Sequence, residues 1–403
     1  MHRVVVLGAG YAGLPAVNRI ARQTYRDEVE LVLVSTHDSF VERPRLHQLA
    51  TGQHRPDLPL TGFLAPGVTL RIGRVVQIDR AHRTLRMAGT STTPAHDSLA
   101  YDTLVYAAGS TIDVDAVPGA AENARTVTDP QAALDIADAL RAEPHCRVVV
   151  VGGGLTGLEL AGEVAETQPA ADVTLLTIGE PGQWLSPRAR AYFGRAFDDL
   201  GVRRLTGMRV VEVAPGRLVT EHGSGPRFDL CLWAGGFSVP RLAADAGLDV
   251  DDHGRVITDR MLRSSDDRIY AIGDSAAVPG PWGAALAMGC RTGGFTGPSI
   301  ADTLVARLTG CEPRPFRYRY LHECLSLGRG HAVVQFLDAR GRPKDRILRG
   351  RAAKVYKNIV LDSGRWVAKH PGPYLRRRRR HVTEDQLHDS GLRDCATPVD
   401  RAG

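Results

Sequence analysis

Two copies of one glycine pattern constrain this chain more than any other feature. The first is VVVLGAGYAG, an apolar run followed by Gly8, Gly10 and Gly13. The second is VVVVGGGLTG, a similar run followed by Gly152, Gly154 and Gly157. Each reads as a β-strand, a G-x-G-x-x-G turn and the opening of a helix. Ala12 and Thr156 occupy equivalent places before the third glycine. The glycines permit a tight turn, close approach of backbone to a pyrophosphate, and close helix–strand packing. The helix N-terminus then faces the anionic phosphates. Two such motifs in one chain predict two dinucleotides held so that electrons can pass between them.

Bulk properties agree with an α/β enzyme and exclude other classes. At 403 residues two or three domains are expected. No run of about 18 or more apolar residues is present, so no spanning helix is expected. A strand begins almost at the first residue, which leaves no room for a signal peptide. The six cysteines form no C-x-x-C or C-x4-C pair, which argues against a redox dithiol and against a zinc site and for a reducing cytoplasm. The net charge of +6 is modest, with five arginines at 376–380.

Further motifs follow in order. FVERPRLHQLATG spans 40–52, YDTLVYAAGS spans 101–110, and a helix is expected over 130–142. DLCLWAGGF (229–237) and RIYAIGDSA (268–276) read as strands, the second delivering an acid at its end, and a helix is expected over 284–309. The order of GAGYAG, YAAGS, GGGLTGLELAGE, WAGGF and YAIGDSA resembles the two-dinucleotide-binding flavoprotein superfamily. ATG at 50–52, TGLELAGE at 156–163 and FRYRYLHECLSLG at 316–328 are similar to its type II NADH dehydrogenase branch. The resemblance covers about residues 1–370. It implies an α/β fold of two Rossmann-like dinucleotide-binding domains and a small C-terminal α+β region. The FAD-binding domain would take 1–112 and 251–312, the NAD(P)H-binding domain 113–250, and the acceptor-side region 313–403.

The resemblance implies that Gly8, Gly10, Ala12 and Gly13 hold FAD. Asp274 would bond its ribityl and phosphate region, with Ala108 and Gly109 passing close to the nucleotide. Arg43 is a candidate phosphate or flavin-edge contact and Val76 a backbone partner for adenine. Ala285 and Leu286 would open a helix whose positive end faces the flavin. Ser35 stands 22 residues past Gly13, where an acid usually takes the adenosine ribose. It can make one hydrogen bond but cannot grip the diol.

NADH or NADPH would enter at Gly152, Gly154, Thr156 and Gly157, with Gly235 and Gly236 near the nicotinamide. Thr177 replaces the second ribose-reading acid. With Glu180 as the nearest charge, NADH is favoured slightly. Glu159 would point toward the flavin–nicotinamide junction, to orient the carboxamide or relay a proton. Electrons would pass to a quinone or similar aromatic acceptor. The branch's glutamines are absent from GAALAMGCRTGG (283–294), and His322 and Glu323 replace a small and a neutral polar residue. Both are candidate acid–base groups.

Between 347 and 369, Leu348, Ala352, Val355, Ile359 and Trp366 trace one helical face among many cations. This resembles the basic amphipathic helix with which the branch lies on membranes. It implies peripheral contact through 345–380 on the inner membrane face; a homodimer partner is the other cover for such a face. No nucleic-acid partner is expected, because aromatic residues do not interleave the arginines. Two rival activities remain at this level. One is a soluble FAD-dependent reductase or oxidase of a small aromatic metabolite. The other is a ferredoxin-reductase-like electron carrier.

Overall fold

Val4, Val5 and Val6 have no exposed surface, as expected of a parallel strand covered on both faces. The computed structural model describes residues 1–88, 97–280, 282–374 and 379–383. In it this run is the middle of β1 (His2–Leu7), which leads through the glycine turn into α1 (Gly13–Gln23). β2 (Val29–Ser35), β3 (Val68–Ile72) and β4 (Thr103–Tyr106) follow. An antiparallel ribbon of 75–79, 84–87 and 98–100 is inserted between β3 and β4.

The second nucleotide unit repeats the plan. α2 (Pro130–Ala142) precedes β5 (Arg147–Val151), α3 (Leu155–Thr167), β6 (Asp172–Leu176), α4 (Pro187–Asp199), β7 (Arg203–Leu205) and β8 (Leu230–Trp233). Its four strands are parallel, in the order β7–β6–β5–β8. β9 (Ile269–Ala271) then returns to the first sheet, whose order is β9–β4–β1–β2–β3. α5 (Cys290–Leu308) packs on α1. This contact is close because Gly293 and Gly297 face Ala12; a Cβ on Gly297 would overlap the Ala12 carbonyl.

The C-terminal region is an antiparallel sheet of β10 (His322–Leu327), β11 (His331–Leu337) and β12 (Pro343–Arg349), followed by α6 (Gly350–Lys369). One expectation is corrected here. Residues 347–349, placed on a helix by periodicity, end a strand. The stripe Ala352, Val355, Ile359 and Trp366 faces outward, with Val355, Ile359 and Trp366 59%, 62% and 52% exposed. The inward face is Ala353, Lys357, Leu361 and Ala368. Of the arginine run, Arg376, Arg377 and Arg378 lie outside the described residues.

Candidate cofactor and active site

The two glycine turns are built alike. A Cβ on Gly8 would overlap the Ala107 carbonyl, and one on Gly13 the Gly8 carbonyl. A Cβ on Gly152 would crowd Ala234 O, and one on Gly157 would overlap Gly152 O. Gly8 and Gly152 also adopt φ of +113° and +129°, where side chains are strained. The middle glycines differ: nothing lies within 4 Å of a Cβ on Gly10 or Gly154. The outer glycines therefore serve packing, and the middle ones leave room for a ligand. Ala12, Gly154 and Gly289, which precede α1, α3 and α5, offer no capping side chain. By contrast Asp129 caps α2 and Ser186 caps α4. No side chain caps the first two of these ends, which leaves their amides open to an anion, whereas the Gly289 amide before α5 is taken by Asp274.

A cavity of about 610 Å³ runs from the first turn to the interface with α3. That is within the usual range for cofactor sites. Gly8, Gly10, Ala12, Ser35, Arg43, Ala108, Gly109 and Asp274 all line it. Ser35 is buried, and its Oγ accepts from His37 N at 3.2 Å. Asp274 accepts from Ser110 Oγ at 2.8 Å and from Gly289 N at 2.6 Å. It thereby ties the end of β9 to the start of α5. Arg43 donates to the Ser110 carbonyl. The residues present fit an extended, phosphate-bearing nucleotide such as FAD.

Three predicted contact residues, Val76, Ala285 and Leu286, fall elsewhere. Val75, not Val76, lines the cavity; Val76, expected as a backbone partner of adenine, is 41% exposed where the strand register shifts between Val75 and Gln77. Ala285 and Leu286 do not open a helix. Leu286 is core, Ala285 bridges Pro279, and α5 begins at Cys290. Met288, Gly289 and Cys290 take the place beside the cavity.

Glu159, on the second turn of α3, reaches the cavity from the other side together with Thr156. It is 5% exposed. Lys357 Nζ of α6, also 5% exposed, donates to it at 2.5 Å and to Ser326 Oγ at 2.6 Å. The Ser326 amide donates to the same carboxylate at 3.0 Å. His47 Nδ1 stands 3.7 Å from the other oxygen. Burial holds the His47 imidazole down at about 4, and its Nε2 has no partner among the described residues. His47 also lines the cavity. One turn along α3, Glu163 takes a hydrogen bond from Gln53, and burial pushes its carboxyl up.

Lys357 and His47 were not expected from sequence. Lys357 stands four residues from both Ala353 and Leu361, so it shares the inward face of α6; that spacing was the available signal. His322 and Glu323 do not line the cavity. Both are tied to Arg291, which donates to the His322 carbonyl and to Glu323 Oε1 at 3.2 Å. Tyr356 OH lies 3.2 Å from His322 Nδ1. Burial, and then the Arg291 guanidinium, hold the His322 imidazole below its ordinary range.

At the second turn, Thr177 is buried and its hydroxyl donates to Gly179 O at 2.6 Å. Its methyl supports Gly153: a Cβ there would stand 3.0 Å from Thr177 Cγ2. Gly236 adopts a φ of +76° beside Asp113, and Gly235 lies over the Trp233 ring.

Two Rossmann-type sheets, each with an open middle glycine, and a cavity between them define a flavoprotein that uses two dinucleotides. The chain belongs to the pyridine nucleotide-disulphide oxidoreductase family, whose model matches residues 2–289. Its cofactors are FAD and NAD(P)H. It is 28% identical over 384 residues to an NADH dehydrogenase-like protein of Mycobacterium tuberculosis, covering 89% of this chain and 93% of that one. It is 26% identical over 379 residues to a demethylphylloquinone reductase of Synechocystis, covering 89% and 91%. The fold matches NDH2 of Plasmodium falciparum in complex with NADH, with a TM-score of 0.76 at 14% identity over 90% of this chain and 94% of that one.

Proposed function

We propose that the protein is an NAD(P)H:quinone oxidoreductase, with the buried Glu159–Lys357 pair as its proton route. FAD, which Gly8, Gly10, Arg43 and Asp274 would hold, would supply the redox chemistry between nicotinamide and acceptor. Reduction of a quinone to a quinol by NAD(P)H takes up one further proton from solution. Glu159 stands at the cavity wall, and Lys357 behind it is a donor 2.5 Å away. This pair is the observation that carries the reading: a hydride transfer alone needs no buried acid–base couple. His47, held neutral, adds a hydrogen-bonding group facing the same space.

NADH is the proposed donor, since Glu180, the charge nearest to Thr177 in sequence, disfavours a 2′-phosphate. The outward stripe of α6 is proposed to rest on a membrane surface where lipid quinone is found; among the described residues no helix is long and apolar enough to cross a membrane. The test is anaerobic. NADH is expected to bleach the bound flavin, and menadione to restore its colour. Glu159→Gln is expected to slow the restoration roughly 10²–10⁴-fold while leaving the bleaching step. Restoration by ferredoxin but not by menadione overturns the quinone reading.

A further inference from the structure

A second cleft, of about 260 Å³, lies where α1 and α6 both end. Arg22, Arg26, Lys369 and Arg379 line it, and among the described residues no carboxylate does. None of these four side chains pairs with an acid among the described residues. The last turns of two helices account for one cation each, Arg22 and Lys369; Arg26 and Arg379 exceed that need. The cleft is rigidly framed. Asn18, fully buried, donates to Phe63 O at 3.0 Å and to Ala368 O at 2.9 Å, and accepts from Ala65 N at 2.7 Å. Arg22 donates to Lys369 O at 3.2 Å and Arg19 to Pro371 O at 2.6 Å. His370 also lines the cleft, and its buried Nδ1 has no partner.

We propose that this cleft binds the phosphate of an anionic lipid; the proposal rests on the membrane-surface reading of α6. The site and the apolar stripe meet at His370. Its ring stacks on Trp366 with centroids 5.1 Å apart, and Trp366 stacks on Tyr374 at 5.7 Å. Trp366 and Tyr374 are 52% and 68% exposed. Exposed aromatics of this kind sit at the headgroup level of a bilayer. The four cations beside them meet the phosphate, and the apolar floor of Phe63, Leu64 and Pro66 accepts its glycerol carbons.

The FAD-loaded protein is floated with phosphatidylcholine vesicles, with and without phosphatidylglycerol. Salt-sensitive preference for the anionic vesicles is expected. Arg22→Gln with Lys369→Gln should weaken it about 25-fold, near fivefold per cation, and Arg26→Gln alone about fivefold. Flavin content and bleaching by NADH should stay unchanged, which confirms folding. An undiminished preference in these variants overturns the proposal. Equal binding of wild type to both vesicles overturns it and leaves the surface reading standing, whereas no vesicle binding removes both. A thermal shift with inorganic phosphate, lost in the variants but without lipid preference, assigns the cleft to free phosphate and again overturns the lipid.

Discussion

At the scale of single residues, the most consequential pair is Glu159 and Lys357, 198 positions apart in sequence and 2.5 Å apart in space. A buried ion pair contributes little net stability, but removing one partner strands the other. Lys357→Met should therefore cost about 3–5 kcal/mol, and Glu159→Gln added to it should recover most of that. Urea unfolding at saturating FAD measures both. His47 has a different signature. Its unfolded imidazole takes a proton near the ordinary 6.5, its folded one only near about 4. The unfolded state thus binds more protons between these values. Stability is full above the upper value and is lost as pH falls toward the lower one, by about 3 kcal/mol. His47→Gln should flatten that slope, read as the urea midpoint above and inside the window. Ser35 was legible as a cavity residue from its spacing past Gly13, and Arg43 and Asp274 from the family resemblance. Lys357 was not, because periodicity traces only the apolar stripe, and the opposite, inward face carries a cation whose partner is remote in sequence.

At the scale of elements, the glycine turns were legible because their constraint is local: each outer glycine is fixed by a carbonyl it would otherwise strike. This gives a sharp contrast between neighbours. Gly13→Ala should destabilise the protein by about 1–3 kcal/mol, as overpacking does, with or without FAD. Gly10→Ala should leave the cofactor-free protein unchanged and reduce FAD retention instead. Thermal unfolding and flavin content of the two variants decide it, and equal destabilisation would remove the distinction between packing and ligand glycines. The start of α5 was misread for an equally local reason. GAALAMGCRTGG carries no capping residue, so composition does not mark where the helix begins. Val75 and Val76 show the limit of register: one residue reverses which face a strand side chain meets.

At the scale of the whole molecule, α6 presents Lys357 inward and Val355, Ile359 and Trp366 outward. Replacing Ile359 and Trp366 by Ser should reduce binding to neutral and anionic vesicles alike, by flotation, because about 1.5–3 kcal/mol accompanies burial of each large apolar side chain. Flavin content should not change, since neither side chain reaches the cavity. The two-sheet plan was legible from the paired fingerprints and the apolar stripe of α6 from its periodicity; the inward face of Ala353, Lys357, Leu361 and Ala368 was not, since sequence pattern says which residues share a face but not what covers it. The strand order β9–β4–β1–β2–β3 has one more consequence, in time rather than space. β9 completes the first sheet but is made after the whole second sheet. On the ribosome, at ~5–20 residues per second, about 160 residues separate β4 from β9, a wait on the order of ten to thirty seconds. The nascent second sheet is contiguous and can close meanwhile. The half that begins first is therefore finished last, with an open β4 edge until its final strand emerges.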